Sequence, residues 1–343
     1  MYDYKSLALY GAQKAIELLQ IDSPSGFTKN AILWVKNEFE LLGFQTAVTN
    51  AGSLLIDIGG EGEGLMLAAH TDTLGAMVAE IKSNGRLRLS PIGGLKACNT
   101  ETENARIYTR GGKVLTGTLQ LINASAHVNG KLDETERSFD TIELVPDEDV
   151  STKADTEALG ISVGDFVCPD PRSQITASGY IKSRYLDDKL SVGIILALAR
   201  YIKESDVKPS RHIYALISVY EEVGHGVNKV EDVTEFICVD MGCVGEGLSC
   251  TEKQVSICAK DAGGPYDYDV VGKLINAAKR EGADYAVDVY RYYSSDVDVA
   301  VKAGHDVRHG CIGAGVYASH GYERSHLLGV ENTLKTLKGY IYG

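Results

Sequence analysis

Five short motifs, far apart along 343 residues, carry side chains suited to hydrolytic chemistry. They are His70-Thr71-Asp72, Asp187-Asp188, Glu221-Glu222, Asp240, and a late histidine at Ser319-His320. Each alone is a weak signal. A His-x-Asp after a strand is usually a local hydrogen bond. An Asp pair before a helix is usually a cap, and a Glu pair is usually a solvated turn. The combination is more specific. Glu221-Glu222 ends the nearly continuous apolar run 212–220, and Asp240 ends Phe236-Ile237-Cys238-Val239. Acids gathered at the ends of buried strands repel one another and lose solvation, which is unfavourable unless something compensates. A pair of divalent cations compensates. Two imidazoles, two terminal carboxylates and one shared aspartate can hold two such ions with a water between them. With nitrogen and oxygen ligands and no thiolate, Zn²⁺, Co²⁺ and Mn²⁺ are the candidates.

The elements that must position these groups alternate in type. Residues 5–20 and 30–42 have helical spacing, the second ending at Gly43. Strands are expected at 44–48, 54–58 and 65–69, the last running into His70. From about residue 76 to 183 the texture changes to short strands and turns, with a hairpin at Ser83-Asn84-Gly85 and no long helix. Helices and apolar strands then return: a helix from 189, strands at 212–220 and 236–239, a helix at 266–281, a strand at 285–290, a helix at 296–303, a strand at 311–317 and a terminal helix at 329–341. The expected fold is therefore α/β, a mostly parallel or mixed sheet sandwiched by helices. A small all-β domain (76–183) interrupts the main domain (1–75 and 184–343). In an open α/β sheet the site lies outside the carboxyl ends of the strands, where these motifs fall.

Composition narrows the function. Thirty-four Lys and Arg against 47 Asp and Glu give a net charge of −13, with 44% hydrophobic and 24% charged residues, ordinary for a globular protein. No basic cluster is present to neutralise phosphates, which argues against nucleic acid and anionic membranes as partners. The apolar stretch 192–199 is far short of the ~20 residues of a membrane span, and the start lacks a signal-peptide pattern. Seven cysteines without a Cys-x-x-Cys pair are expected as buried apolar residues in a reducing cytoplasm. Gly242-Cys243-Val244-Gly245-Glu246-Gly247 lacks both dinucleotide spacing and a Walker lysine, and is expected to be a flexible loop.

The motif order His70-Thr71-Asp72, Asp187-Asp188-Lys189, Glu221-Glu222-Val223-Gly224, Val239-Asp240 and a late His resembles the dinuclear metallo-aminopeptidases of the M42 family, the glutamyl and deblocking aminopeptidases. Further likeness lies in Val-x-x-Ile-Lys-x-x-Gly-Arg-Leu-Arg from 78, Pro91-Ile92-Gly93-Gly94, Leu159-Gly160-Ile161 and Gly164-Asp165-Phe166-Val167. The resemblance implies that His70, Asp187, Glu222, Asp240 and His320 are metal ligands, with Asp187 bridging across a cis peptide to Asp188. It implies Glu221 as general base and Asp72 as the residue holding His70 by its free ring nitrogen. It also implies removal of N-terminal residues from peptides, and a homo-oligomer, from dimer to hollow dodecamer, with the β insert as the dimer contact. Two departures stand out. Lys189 replaces the usual Arg, and His-Ser-x-x-Glu becomes His320-Gly321-Tyr322-Glu323, with His326 a competitor for the last ligand. His225 either lines the pocket or is a plain loop residue, whereas His127, His212, His305 and His309 are expected to be structural. Rival readings are a related deacylase or dipeptidase, a metal-free glycosidase, and a catalytically silent scaffold.

Overall fold

Helix α1 (Tyr4–Leu19) starts where the Asp3 carboxylate accepts the amides of Lys5 and Ser6 at 3.1 and 3.2 Å. It buries Leu7, Ala8, Gly11, Ala12, Ala15, Leu18 and Leu19, a face at helical spacing. Helix α2 (Lys29–Leu41) stops before Gly43, whose φ of +85° suits a glycine beyond a helix end. In this computed structural model residues 3–205, 207–227 and 233–343 are described. They form two compact units, Met1–Thr73 with Arg172–Gly343, and Leu74–Pro171.

The elements follow in order: β1 (Gln45–Val48), β2 (Leu54–Gly59), β3 (Gly64–His70), β4 (Gly75–Ile81), β5 (Leu87–Ile92), β6 (Asn104–Tyr108), β7 (Val114–Leu121), β8 (Ile142–Pro146), α3 (Lys153–Ala158), β9 (Phe166–Pro169), β10 (Gln174–Ile175), β11 (Tyr180–Ser183) and α4 (Leu186–Glu204). Then come β12 (His212–Ser218), β13 (Glu235–Val239), β14 (Gly242–Val244), β15 (Val255–Lys260), α5 (Tyr268–Glu281), β16 (Tyr285–Val289), α6 (Asp296–Lys302), β17 (Arg308–Tyr317), β18 (Glu323–His326) and α7 (Leu327–Tyr342).

The smaller unit closes a six-stranded antiparallel barrel in the order β4-β5-β8-β7-β6-β9. Val78, Leu87, Leu89, Ile107, Leu119, Leu144 and Val167 are buried in it. Its one described helix of more than one turn, α3, is short, in keeping with the turn-rich texture. The larger unit holds a mixed sheet of 12 strands among the described residues, ordered β1-β2-β12-β3-β13-β17-β18-β11-β10, with β14, β15 and β16 joined beside β17. Its centre, β12, β3, β13 and β17, is parallel. Antiparallel pairs join β1 to β2, β2 to β12, β11 to β18 and β15 to β17, so the sheet is mixed rather than parallel throughout.

Two expectations need correction. Residues 172–183, assigned above to the β insert, belong to the larger unit, because β11 pairs with β18 from Tyr180↔His326 to Ser183↔Glu323. Gly242-Cys243-Val244 is a strand, β14, parallel to the end of β17, rather than loop. Gly242 lies so close to Ser256 that an added Cβ would sit 2.4 Å from its side chain, a constraint invisible in a local motif.

Every residue of β3 is buried, as expected of a strand covered on both faces. Helix α4 packs against β3 and β17, and α7 against β15 and β17. Helix α6 contributes Val297 and Ala300 to a core with Met66, Ala68, Leu216, Phe236, Cys238, Cys258 and Cys311. Three of those cysteines lie opposite one another across β13, β17 and β15. All seven cysteines are free, and Cys98 is exposed, against the expectation of burial. Helices α1 and α4 meet backbone to backbone at Gly11 and Gly193, where a Cβ on Gly193 would lie 2.3 Å from the Gly11 carbonyl oxygen. That contact packs α4, whose first turn carries Asp187 and Asp188, against α1. Among the described residues no helix is long and apolar enough to cross a membrane.

Candidate metal centre

The four central parallel strands deliver their carboxyl ends to one edge. Ser218 of β12 pairs in register with His70 of β3, and Val239 of β13 with Ile312 of β17. His70 is the last residue of β3, and Asp240 follows β13 directly. Glu221 and Glu222 lie in the single turn after β12, which Gly224 closes at φ +81°. Asp187 and Asp188 stand at the start of α4, joined by a cis peptide bond, with non-helical backbone angles. His320 sits in the turn after β17 at φ +62°, a left-handed conformation uncommon outside glycine.

The side chains converge. The two oxygens of Asp187 face two different imidazoles: Oδ1 lies 3.2 Å from His70 Nε2, and Oδ2 lies 3.5 Å from His320 Nε2. Glu222 Oε2 is 3.5 Å from His320 Nε2, and Glu221 Oε2 is 3.6 Å from His70 Nε2. Ligand atoms of His70, Asp187 and Glu222 lie within 4.8 Å of one another, as do those of His70, Asp188 and Asp240. His70, Asp187, Asp188 and Asp240 are all buried, and the Glu222 side chain is only 4% exposed. The His70 Nδ1 sits 2.9 Å from the Asp72 carbonyl oxygen, which suits a donated hydrogen bond. That bond leaves the Nε2 lone pair of neutral His70 directed into the cluster.

The electrostatics are those of a crowded acidic pocket. Burial, then repulsion from Asp187, pushes the Asp240 carboxyl up to about 7. Burial lifts Glu221 and Glu222 well above the usual carboxylate range. Burial also raises Asp188, with Asp240 adding to it. Asp187 goes the other way: burial opposes its charge, but hydrogen bonds from His320 and His70 outweigh that and hold it low. The Asp187 carboxylate in turn raises His320 to about 9. Burial works against a charged His70, yet the Asp187 and Asp72 carboxylates hold it above its ordinary range. Among the described residues the buried Oδ1 of Asp188 has no hydrogen-bond partner within ordinary distance, an orphan that calls for an explanation. Carboxylate and imidazole donors with such an orphan fit hard or borderline divalent cations.

The sequence-predicted residues His70, Asp72, Asp187, Glu221, Glu222, Asp240 and His320 all meet here. His326 does not. Its Nε2 bonds the Ser178 carbonyl oxygen at 3.0 Å, its Nδ1 accepts the Leu328 amide at 3.0 Å, and its ring stands edge-on to Tyr180. His326 is the cap of α7. His225 stacks on Tyr220 beside the glutamate turn, while His212 pairs with Asp57 and His309 rests against Tyr266. Asp72 differs in detail from expectation. Its carboxylate is 3.5 Å from His70 Nδ1, but its shorter contacts are the Glu221 and Glu222 amides at 3.1 and 3.3 Å and the Ser25 hydroxyl at 2.5 Å. It pins the glutamate turn as well as approaching the imidazole. Lys189 is buried and donates to the Leu18 and Ile21 carbonyl oxygens at the end of α1.

Sequence reasoning gave no contact to Asp188, Glu323 or Asp296. Asp188 Oδ2 accepts the His70 amide at 3.1 Å. Asp296, at the start of α6, takes a hydrogen bond from Ser218, and burial raises its carboxyl to about 6. Asp188 was visible as half of the acidic pair and Glu323 as the final acid of an altered motif, whereas Asp296 left no trace.

A family profile described as M42 glutamyl aminopeptidase matches residues 52–336. YhfE of Bacillus subtilis (strain 168), assigned by name as an aminopeptidase, is 42% identical over 329 residues, 95% of each chain. The glutamyl aminopeptidase of Lactococcus lactis is 27% identical over 218 residues, covering 62% of this chain and 59% of that one. In structure the chain is similar to the Pyrococcus horikoshii TET1 peptidase, with a TM-score of 0.83 and 18% identity over 97% of this chain and 99% of that one. In the mixed α/β unit the imidazoles and carboxylates gathered at the strand ends form groups that could hold a metal ion. The chain belongs to the M42 peptidase family, which makes it a peptide hydrolase.

Proposed function

We propose that this chain removes N-terminal amino acids from peptides with two divalent cations held by His70, Asp187, Glu222, Asp240 and His320. The observation that carries the reading is the Asp187 carboxylate lying between two imidazoles, one per oxygen. That is the disposition a bridging ligand requires. His320 and Glu222 would complete one position, His70 and Asp240 the other, with the orphaned oxygen of Asp188 beside the second. Zn²⁺ is the favoured metal, with Co²⁺ and Mn²⁺ compatible with the same donors. When bound, such ions lower the pKa of water from ~15.7 towards ~7 and polarise a carbonyl oxygen.

The chain's own groups do the rest. Glu221 lies beside His70 but is assigned to no metal, so its carboxylate is the base that takes a proton from the attacking water. It returns that proton to the leaving amine nitrogen. Asp72 holds Glu221 and Glu222 by their amides and so fixes the base relative to the ligands. His70 is oriented through its Nδ1. Glu221→Gln keeps shape and removes the proton acceptor, so both metals and the fold should be retained while kcat falls by roughly 10²–10⁴. Near-wild-type hydrolysis of an aminoacyl-anilide by that variant would show that Glu221 is not the base.

Assembly and location belong to the same reading. The Pyrococcus horikoshii TET1 peptidase forms a tetrahedron or a large octahedral shell. Likeness to it supports a homo-oligomer here, from dimer to dodecamer, with the barrel unit (Leu74–Pro171) as the dimer contact. Seven free cysteines suit a reducing cytoplasm.

A further inference from the structure

We infer that Glu323 is a positioning residue that sets the geometry between Asp187 and His320, and thereby the affinity of one of the two cation positions. The inference rests on the proposal that these side chains hold divalent cations. Glu323 opens β18 and is only 2% exposed. Its two carboxylate oxygens are each used once. Oε2 accepts the Asp187 amide at 3.1 Å, and Oε1 accepts the His320 amide at 2.9 Å. One side chain therefore joins two segments that are 133 residues apart in sequence, and each segment carries a candidate ligand.

Both segments need such a tie. His320 adopts φ +62° and Tyr185, two residues before Asp187, adopts φ +66°. Left-handed backbone is disfavoured for residues with a Cβ and persists where the surroundings hold it. The turn carrying His320 is otherwise closed by the Gly321 amide bonding the Ala318 carbonyl oxygen at 2.9 Å. Glu323 is itself anchored by the antiparallel pairing Ser183↔Glu323, which sets it beside the strand that leads into Asp187. Asp187 and His320 thus share a fixed reference point, and the 3.5 Å separation of Oδ2 from His320 Nε2 follows from it.

The tie is one-sided. On the His70 side, the His70 amide is held by Asp188 and the glutamate turn by Asp72. Glu323 touches neither. Its loss should weaken most the position that takes both tied ligands, Asp187 and His320, and weaken less the position of His70 and Asp240, which shares only Asp187. A residue that merely supports the fold would not discriminate between them.

The test is a metal titration that does not depend on turnover. Wild type and Glu323→Gln, stripped with chelator, are titrated with Zn²⁺ against a chromophoric competitor and with Co²⁺ by visible absorption. The Gln keeps the volume but offers one acceptor oxygen and turns an amide N–H toward the second backbone N–H. One binding step should weaken by about 10–100-fold, the range typical of groups that orient ligands, and the other, which shares only Asp187, by clearly less. Glu323→Asp, too short to reach both amides, should behave alike, and it is the variant read should the Gln form fail the circular-dichroism check of folding. Two steps of wild-type affinity overturn the inference, and so does equal weakening of both. A wild-type protein that takes up no divalent cation overturns the metal-centre reading itself, an outcome distinguishable because it appears before any variant is made.

Discussion

Replacing Asp72 by Asn isolates the clamp on the glutamate turn. In the native protein Oδ1 accepts the Glu221 amide at 3.1 Å, and Oδ2 accepts the Glu222 amide at 3.3 Å and the Ser25 hydroxyl at 2.5 Å. Asparagine offers one oxygen. If that oxygen keeps the Glu221 amide, its NH₂ group confronts the Glu222 amide, and two donors meet. The Ser25 hydroxyl can rotate to accept from the NH₂, so the lasting loss is one buried N–H without a partner plus the charge assistance to the other. An orphaned buried donor costs about 1–3 kcal/mol, and bonds to a charged acceptor are roughly twice as strong as neutral ones. The expected destabilisation is therefore about 2 kcal/mol, or about 4 °C in the melting temperature of a unit this size. The glutamate turn shifts with the lost bond and carries Glu221 with it. Turnover on an aminoacyl-anilide should fall by about 10–100-fold, the range for groups orienting a metal site, with KM changed far less. Melting temperature and steady-state kinetics on one preparation decide it. An Asp72→Asn protein with kcat within twofold of wild type would refute the idea that this carboxylate holds the base in place.

The two C-terminal histidines should separate cleanly. His320→Ala should lose one metal and most activity, whereas His326→Ala should keep both and lose only about 1 kcal/mol of stability through the α7 cap; equal metal loss in both would contradict the assignment. The metal-free protein should be pH-sensitive. Asp240 and Glu323 are raised by burial to about 7 and about 8, and His320 by the Asp187 carboxylate to about 9. All three hold protons in the folded state that the unfolded chain has already released. Their stabilising effect is complete below the unfolded pKa values and is lost as pH climbs through the folded ones. Each extra buried proton contributes a slope of up to about 1.4 kcal/mol per pH unit. The melting temperature of chelator-treated protein should fall from pH 6 to pH 9, and saturating metal should flatten that fall. A metal-free protein that grows more stable over this interval would show the opposite proton balance.

Periodicity made most elements of the larger unit readable. The helices at α1, α2, α4, α5, α6 and α7 lie within a few residues of their sequence-based ranges, as do β3, β12 and β13, because each carries a strong apolar pattern. Strands β10, β14 and β18 were not legible. They are short and set by pairing, as with Val244 against Tyr317 and Glu323 against Ser183, rather than by a pattern of their own. The barrel unit showed its texture but not its end. The chain returns to the large sheet at residue 172, and only the pairing of β11 with β18 reveals that. The site itself was legible as residue types at strand ends. His70, Asp187, Glu222 and Asp240 are anomalies there, acids and an imidazole closing apolar runs. The sequence favours His320 as the last ligand, because it follows the strand expected at 311–317, but leaves His326 open as a competitor. The hydrogen bonds that occupy both ring nitrogens of His326 count against the competitor. The second layer was hidden altogether. Asp72 reaching the Glu221 amide spans 149 residues, and Glu323 reaching the Asp187 amide spans 136. No local spacing encodes such contacts.

Metal content per chain, measured on the same sample as aminoacyl-anilide hydrolysis before and after chelation, bears most directly on the proposed chemistry. Two divalent ions per chain, activity abolished by chelator and restored by Zn²⁺ or Co²⁺ are the expected results. Undiminished hydrolysis by protein carrying no metal would contradict it.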